Sequence, residues 1–372
     1  MNIQMHNSYI EIDTNILRDN VSRLISSLGG ARLIPVLKDN AYGLGLLPIA
    51  SVLEEFDGIQ WFAVSHVSEG LALREAGIKK NILVMGGAVP FQYEAAIEAE
   101  LTLACGRLGM ASELAEIAAR AGKRADVQIK IDTGLHRIGI DPGEELVSFI
   151  EELKSVKEHL SISGAFSHFS CSSSLDSDRE QYASFCSAVK KIEDAGFIIP
   201  MKHISSSAAS ELYPEFNMDA VRIGRRLYMD NPTQPLGTVR ELASWRSYIT
   251  NIKPRTAGDS IGYGDGAVLE KDCVIATVGV GYGDGLNQDL VSVRAPVIVN
   301  GKRCPLIACC MDQCMVDVSG TDCRIGDEIT FFGYDGSGNF LSSQEQAALV
   351  NDDEGCGLTS ALSDRVARIY KA

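Results

Sequence analysis

Lys38 is the residue hardest to explain as ordinary structure. It closes an apolar run, 33–37 with one proline, that reads as a short buried β-strand. Asp39-Asn40, Gly43 and Gly45 follow with the composition of a turn, and an amphipathic run over 46–53 begins the next helix. An amine at the end of a buried strand is desolvated unless it is paired. Desolvation lowers its pKa and makes it a nucleophile or a Schiff-base former. The plainer alternative is a lysine whose stem lies on the strand end while its ammonium reaches water.

The same placement recurs along the chain. Lys130 with Asp132, His168, Ser206-Ser207 and Arg222 each fall at the end of a predicted strand. Candidate strands are 9–12, 33–37, 61–64, 82–84, 103–104, 127–131, 160–166 and 201–203, with a last one near 220–222. Helix patterns such as 67–76, 110–121, 143–156 and 178–195 lie between them. About eight βα units over roughly 220 residues predict a closed parallel (β/α)8 barrel of the TIM type. An open doubly wound sheet is the alternative, but no glycine fingerprint opens a helix after the first strand. In a barrel, polar residues at several strand ends converge on one mouth, where such enzymes build their sites.

Asp230, Pro232 and Pro235 mark a boundary, which divides the chain into a barrel domain over 1–233 and a predominantly β-strand domain over 234–372. Short β-runs follow at 246–253, 273–280, 293–299, 306–308, 314–318 and 328–332, with helices again only near 344–350 and 358–366.

The composition excludes several classes of function. At 372 residues, two domains are expected, and 45% hydrophobic with 22% charged residues describes a folded chain with ample core. A net charge of −15 argues against a nucleic-acid or anionic-membrane surface. No window of apolar residues is long enough to span a membrane, and residues 1–12 lack the layout of a signal peptide, so a cytoplasmic location is expected. The ten cysteines, among them the scattered Cys105, Cys171, Cys186 and Cys273, fit reduced thiols. Cys304, Cys309, Cys310, Cys314 and Cys323 contain no C-x-x-C pair and no accompanying histidine, and read as buried thiols rather than a zinc site.

The motifs themselves resemble those of the alanine racemases, pyridoxal-phosphate enzymes of fold type III. Val36-Leu37-Lys38-Asp39-Asn40-Ala41-Tyr42-Gly43 is similar to the family's cofactor-lysine signature, and 130–139, Lys-Ile-Asp-Thr-Gly-Leu-His-Arg-Ile-Gly, to its second motif. Ser167-His168-Phe169, 203–209, Val221-Arg222-Ile223-Gly224, Gly262-Tyr263-Gly264, Gly281-Tyr282-Gly283-Asp284-Gly285 and Cys310-Met311-Asp312-Gln313 follow in family order. The resemblance spans nearly the whole chain.

It implies pyridoxal 5'-phosphate as cofactor, an amino-acid substrate and a homodimer with shared sites, making D-alanine for peptidoglycan. Lys38 would hold the cofactor and act as one proton-transfer base; Tyr263, supplied by the other subunit, would be the opposing one. A phenol with an ordinary pKa of about 10 is a poor base, which neighbouring cations can improve; the resemblance places His168, itself against Arg222, beside Tyr263. Arg222 would face the pyridine nitrogen, and Arg137 the cofactor's phenolic oxygen. Tyr42, Ser207, Gly224 and Arg225 would bind the phosphate. Arg137, Met311, Tyr282 and Cys356 would surround the substrate. Lys130 matches a position carbamylated in many members, where it orients Arg137. Tyr42 and Tyr282 could equally pack, and Ser206 and Ser207 could be cap residues. Asp132 and His136 read as structural, and His203 as a satisfied strand-end histidine.

Three positions depart from the family pattern. Arg225 stands where an isoleucine is usual, and Ser206 where an asparagine is usual. Cys356-Gly357 occupies the place of a tyrosine–glutamate pair, nine and eight residues before Arg365. Losing that tyrosine would enlarge the substrate pocket, so serine, or less readily a basic amino acid, becomes an alternative substrate. A fold-type-III decarboxylase is a second enzyme class, but it would carry a carboxylate at the Arg222 position. A single-barrel cofactor-carrying protein would lack the second domain. A silent paralogue is opposed by intact Lys38 and Tyr263.

Overall fold

The structure, a computed structural model, describes residues 5–170, 174–229, 239–263, 267–352 and 356–372. The proposed boundary at 233/234, Cys171 and Gly264 lie outside the described residues.

The first strand, β1 (Ser8–Asp13), does not enter the barrel, contrary to the reading of 9–12 as its first strand. It pairs antiparallel with β10 (Ala243–Arg255) and parallel with β19 (Ala367–Lys371). A short apolar strand carries no record of its partner, and here the partners come from the far end of the chain.

The barrel is built from β2 (Arg32–Pro35), β3 (Trp61–Val64), β4 (Asn81–Val84), β5 (Thr102–Cys105), β6 (Ala125–Lys130), β7 (Leu160–Phe166), β8 (Lys202–His203) and β9 (Ala220–Ile223). Strands β3 to β8 form one parallel sheet and β2 pairs with β9. A Val36–Ala63 bridge joins β2 to β3, and Asp219 N–H to Lys202 O (3.1 Å) with Arg222 N–H to Ser205 O (3.2 Å) joins β8 to β9. The ring is therefore closed, as predicted. Successive residues of a strand face opposite sides. Ile34, Val36, Ala63, Leu83, Ala104, Phe166, Met201 and Ala220 form a small inner core, while the larger outer cluster packs against the helices. The helices over Val67–Glu75, Met110–Arg120, Glu144–Val156 and Leu175–Asp194 match their sequence patterns closely.

The remaining strands are β11 (Ser260–Ile261), β12 (Ala267–Val268), β13 (Cys273–Val278), β14 (Pro296–Val299), β15 (Lys302–Cys309), β16 (Cys314–Asp317), β17 (Glu328–Tyr334) and β18 (Phe340–Leu341). The ring β10-β13-β16-β15-β14-β17 closes because β17 also pairs with β10. The expected helix over 358–366 is only a turn of helix, Gly357–Ser360, after which the chain extends into β19. Residue 293 ends a short helix (Gln288–Ser292) rather than starting a strand. Among the described residues, no helix is long and apolar enough to cross a membrane. The described cysteines are free thiols, and no group of His, Cys, Asp and Glu there could hold a metal ion.

The placement of β1 predicts the effect of Ile10→Ala. Ile10 is fully buried and paired with Trp245, whose indole donates to Ser8 Oγ at 2.8 Å. The cavity should cost about 2–5 kcal/mol, read by denaturation through Trp245 fluorescence in a Trp61→Phe background.

Candidate active site

The inward parity of the barrel strands places Gln128, Lys130, Phe166, His203 and Arg222 in its interior, just below the mouth. Phe166 is the floor of this layer. Its ring stacks on His203 (5.2 Å between centroids) and lies 5.4 Å from the Arg222 guanidinium and 5.5 Å from Lys130 Nζ.

Arg222 is buried and fully engaged on its inner side. It donates to Ser167 O at 2.8 Å and Ile204 O at 3.0 Å, to His203 Nδ1 at 2.6 Å and to His168 Nδ1 at 3.0 Å. A guanidinium has no acceptor, so both imidazoles must accept through Nδ1 and carry their proton on Nε2. His203 then donates Nε2–H to Gln128 Oε1 at 2.7 Å. Burial, then the charge of Arg222, holds His203 well below its ordinary pKa and pushes His168 down to about 3, so both are neutral. His203 is thus satisfied, as read from sequence, but its partner is the central cation of the site.

Lys130 is buried too. Burial first, then Arg222 and Arg137, lowers its amine to about 7 despite nearby Asp132, and Nζ donates to Ile131 O at 2.7 Å. Asp132 shapes the loop that follows, accepting from Gly134 N–H and His136 N–H, and Arg137 is carried into the mouth on this loop.

Lys38 leaves β2 directly into a left-handed turn. Asp39, Asn40, Ala41 and Tyr42 all have φ between +53° and +56°. Each costs about 1–2 kcal/mol in a residue with a Cβ, so neighbouring structure must hold the turn. The C-terminal segment does part of this: a Cβ on Gly43 would lie 1.9 Å from Thr359 O, and Tyr370 donates to Leu44 O at 2.7 Å. Tyr42 is directed across the mouth onto Gly224, where a Cβ would meet its Oη at 2.0 Å. Only glycine permits that approach.

These groups enclose a cavity of about 640 Å³, within the range of small-molecule sites. Lys38, Tyr42, Lys130, Arg137, His168, Ser206, Ser207, Arg222, Gly224, Arg225 and Cys356 all line it. Tyr263, Tyr282 and Met311 do not. They stand exposed on the β-domain, at 82%, 40% and 53%, and Tyr263 and Tyr282 border a separate hollow. The Met311 turn is tied to its neighbours: Gly283 N–H donates to Met311 O at 2.9 Å, and Arg365 bridges Asp284 and Asp312 at 3.1 and 2.6 Å.

Sequence profiles of the alanine racemase N-terminal and C-terminal domains match residues 12–232 and 242–370. The chain belongs to the alanine racemase family. The family is one of isomerases. The alanine racemase of Halothermothrix orenii is 34% identical over 374 residues, covering 98% of this chain and 97% of its own. That of Geobacter sulfurreducens is 34% identical over 379 residues, covering 97% and 96%. Among solved structures, the enzyme from D-cycloserine-producing Streptomyces lavendulae superimposes with a TM-score of 0.92 at 28% identity, covering 99% of this chain and 97% of its own. The Bacillus anthracis alanine racemase with bound L-Ala-P gives 0.90 at 27%, covering 99% and 95%.

Sequence reading missed Gln128, Ser360 and Glu69. Gln128 carried a signal, since it shares the inward parity of Lys130 two residues later. Ser360 and Glu69 carried none beyond ordinary helix composition. Glu69 accepts from Asp39 N–H, next to Lys38.

The depressed amine of Lys130 gives a pH-dependent stability. Below about 7 the buried amine is charged and its desolvation cost is fully present; the cost is relieved as pH rises toward the ordinary lysine value. In protein kept free of carbon dioxide, Lys130→Met should therefore stabilise more at pH 6 than at pH 9.5, by on the order of a few kcal/mol, measured by urea denaturation at both values.

Proposed function

We propose that this protein interconverts L- and D-alanine with pyridoxal 5'-phosphate seated in the barrel mouth. The observation that carries this reading is the convergence of Lys38, Tyr42, Ser207 and Arg222 on one cavity. The residues fit the cofactor. The Gly224 backbone, with no Cβ to obstruct it, the Tyr42 and Ser207 hydroxyls and the Arg225 cation suit a phosphate. Lys38 would be its covalent anchor, Arg222 would face the ring nitrogen and Arg137 the phenolic oxygen. When bound, the cofactor withdraws electrons from the substrate α-carbon and so loosens its proton. Arg222 does not surrender its own proton, which restrains that withdrawal and limits side reactions.

Racemisation removes the α-proton from one face and returns one to the other, so two proton carriers must oppose each other. Lys38 serves one face. For the other we infer Tyr263 from a second copy of the chain, together with Met311 and Tyr282, since all three are exposed on the β-domain away from their own cavity. The domains divide at 233/234 in this reading. Neutral His168, its Nδ1 occupied by Arg222, has an Nε2–H to offer the Tyr263 oxygen once its proton has left. Arg222 thereby acts on the second base through one imidazole. The product serves peptidoglycan synthesis, and the free thiols fit a cytoplasmic setting.

The lowered amine of Lys130 also supports carbamylation. The neutral amine attacks carbon dioxide, forming an N–C bond and releasing one proton, and the resulting carboxylate would face Arg137. Carbon-13 bicarbonate should give a carbamate signal that Lys130→Met abolishes; its absence in the parent would refute the modification.

Cys356 on the cavity wall favours a second reading, in which the pocket takes serine. The deciding experiment is a racemisation assay of the holoenzyme with L-alanine and L-serine side by side. Alanine turnover should exceed serine turnover, Lys38→Ala should be inactive, and Tyr263→Phe should lose about 10²–10⁴-fold. Cys356→Tyr should depress serine turnover relative to alanine by about tenfold or more. Serine matching alanine in the parent would move the assignment to the second reading. Turnover of neither would overturn both.

A further inference from the structure

The left-handed turn after Lys38 is held partly by itself. Ala41 N–H donates to Leu37 O, Gly43 N–H to Asp39 O and Gly45 N–H to Asn40 O, at 2.8–2.9 Å. Asn40 Oδ1 accepts from Leu46 N–H at 2.7 Å. The first amide of the turn, Asp39 N–H, is held from outside. It donates to Glu69 Oε1 at 2.6 Å, across 30 positions of sequence. The other oxygen of the same carboxylate accepts from Ser65 N–H at 2.8 Å and His66 N–H at 3.0 Å, the residues that follow β3.

Helix capping accounts for only half of this. Glu69 is the third residue of the helix Val67–Glu75, and a capping glutamate reaches back to the amides before its helix. The grip on Asp39 lies beyond that duty. It ties the exit of β2 to the exit of β3 at the point where the Val36–Ala63 bridge ends their pairing. The peptide it grips joins Lys38 to Asp39, so its orientation sets the direction in which the Lys38 side chain leaves the backbone.

From this we infer that Glu69 is a positioning residue for Lys38, fixing the strained turn so that the amine meets one face of the bound substrate. The inference rests on the proposed two-base reaction and adds to it a residue on one side only. Loosening Lys38 leaves Tyr263 untouched. Because both proton transfers lie on one reversible path, the two directions slow together in kcat/KM, and rate alone does not reveal the side. Isotope effects do. As the Lys38 step becomes slower, the α-deuterated enantiomer whose proton Lys38 removes shows the larger primary effect, and the other enantiomer the smaller.

The test compares the parent, Glu69→Gln and Glu69→Asp, with Tyr263→Phe as the opposite-side control. Glutamine keeps the shape but turns one oxygen into a donor facing a donor. Aspartate keeps the charge and the cap but is one carbon too short to grip both ends. Melting curves verify folding, and amide hydrogen exchange at 39–45 is measured on the cofactor-free chains. We expect faster exchange at 39–45 in both variants and a loss in kcat/KM of about tenfold to a hundredfold. The isotope-effect ratio between enantiomers should shift opposite to that of Tyr263→Phe. An unshifted ratio, or unchanged exchange, overturns the inference whatever the rate. If the parent racemises neither alanine nor serine, the proposed reaction fails by itself, and exchange at 39–45 alone then decides whether Glu69 holds the turn.

Discussion

A single buried cation governs the chemistry of this barrel. Arg222 sits at the end of β9, inside the ring, where removing a guanidinium from water costs several kcal/mol unless its donors are met. Its two terminal nitrogens are met by three backbone carbonyls and two imidazoles. The arrangement fixes the tautomer of both histidines, keeps them uncharged and adds to the burial that brings Lys130 near neutrality. Phe166 provides an apolar floor against which Arg222, His203 and Lys130 lie. Removing one partner would leave the buried guanidinium with an unmet N–H donor, so the layer behaves as one unit.

The second dependence is mechanical. The mouth is shaped where two distant parts of the chain touch. The segment from Cys356 to Tyr370 lies on the turn after Lys38: a Cβ on Gly43 would meet the Thr359 carbonyl, and one on Gly45 the Tyr370 hydroxyl. Arg368 donates to Gly43 O at 3.1 Å, which ties β19 to the same turn. The β-domain therefore does two things at once. It braces its own barrel through β19, and it presents Tyr263 and the Met311 turn on an outer face.

Much of this was legible in the sequence. Eight apolar runs at βα spacing identified the barrel strands, because burial on both faces demands continuous apolar residues. Polar residues closing those runs marked the mouth, and the resemblance of the motifs named the family that the profile matches then showed. Lys38, Tyr42, Ser207 and Arg222 are joined by the topology alone, since every strand end of a parallel barrel points the same way.

The tertiary structure decided the rest, and the reason is range. Strand 9–12 has the same local pattern as a barrel strand, and only the pairing energy with β10 and β19 puts it elsewhere. Gly43 and Gly45 announce a turn, but its left-handed course through four residues with side chains depends on Glu69 and on residues beyond 355. His203 reads the same whether its ring meets water or a guanidinium. Composition and spacing record which residues can do chemistry. Which charge each one feels, and so which proton it carries, depends on neighbours that the chain brings together only when it folds.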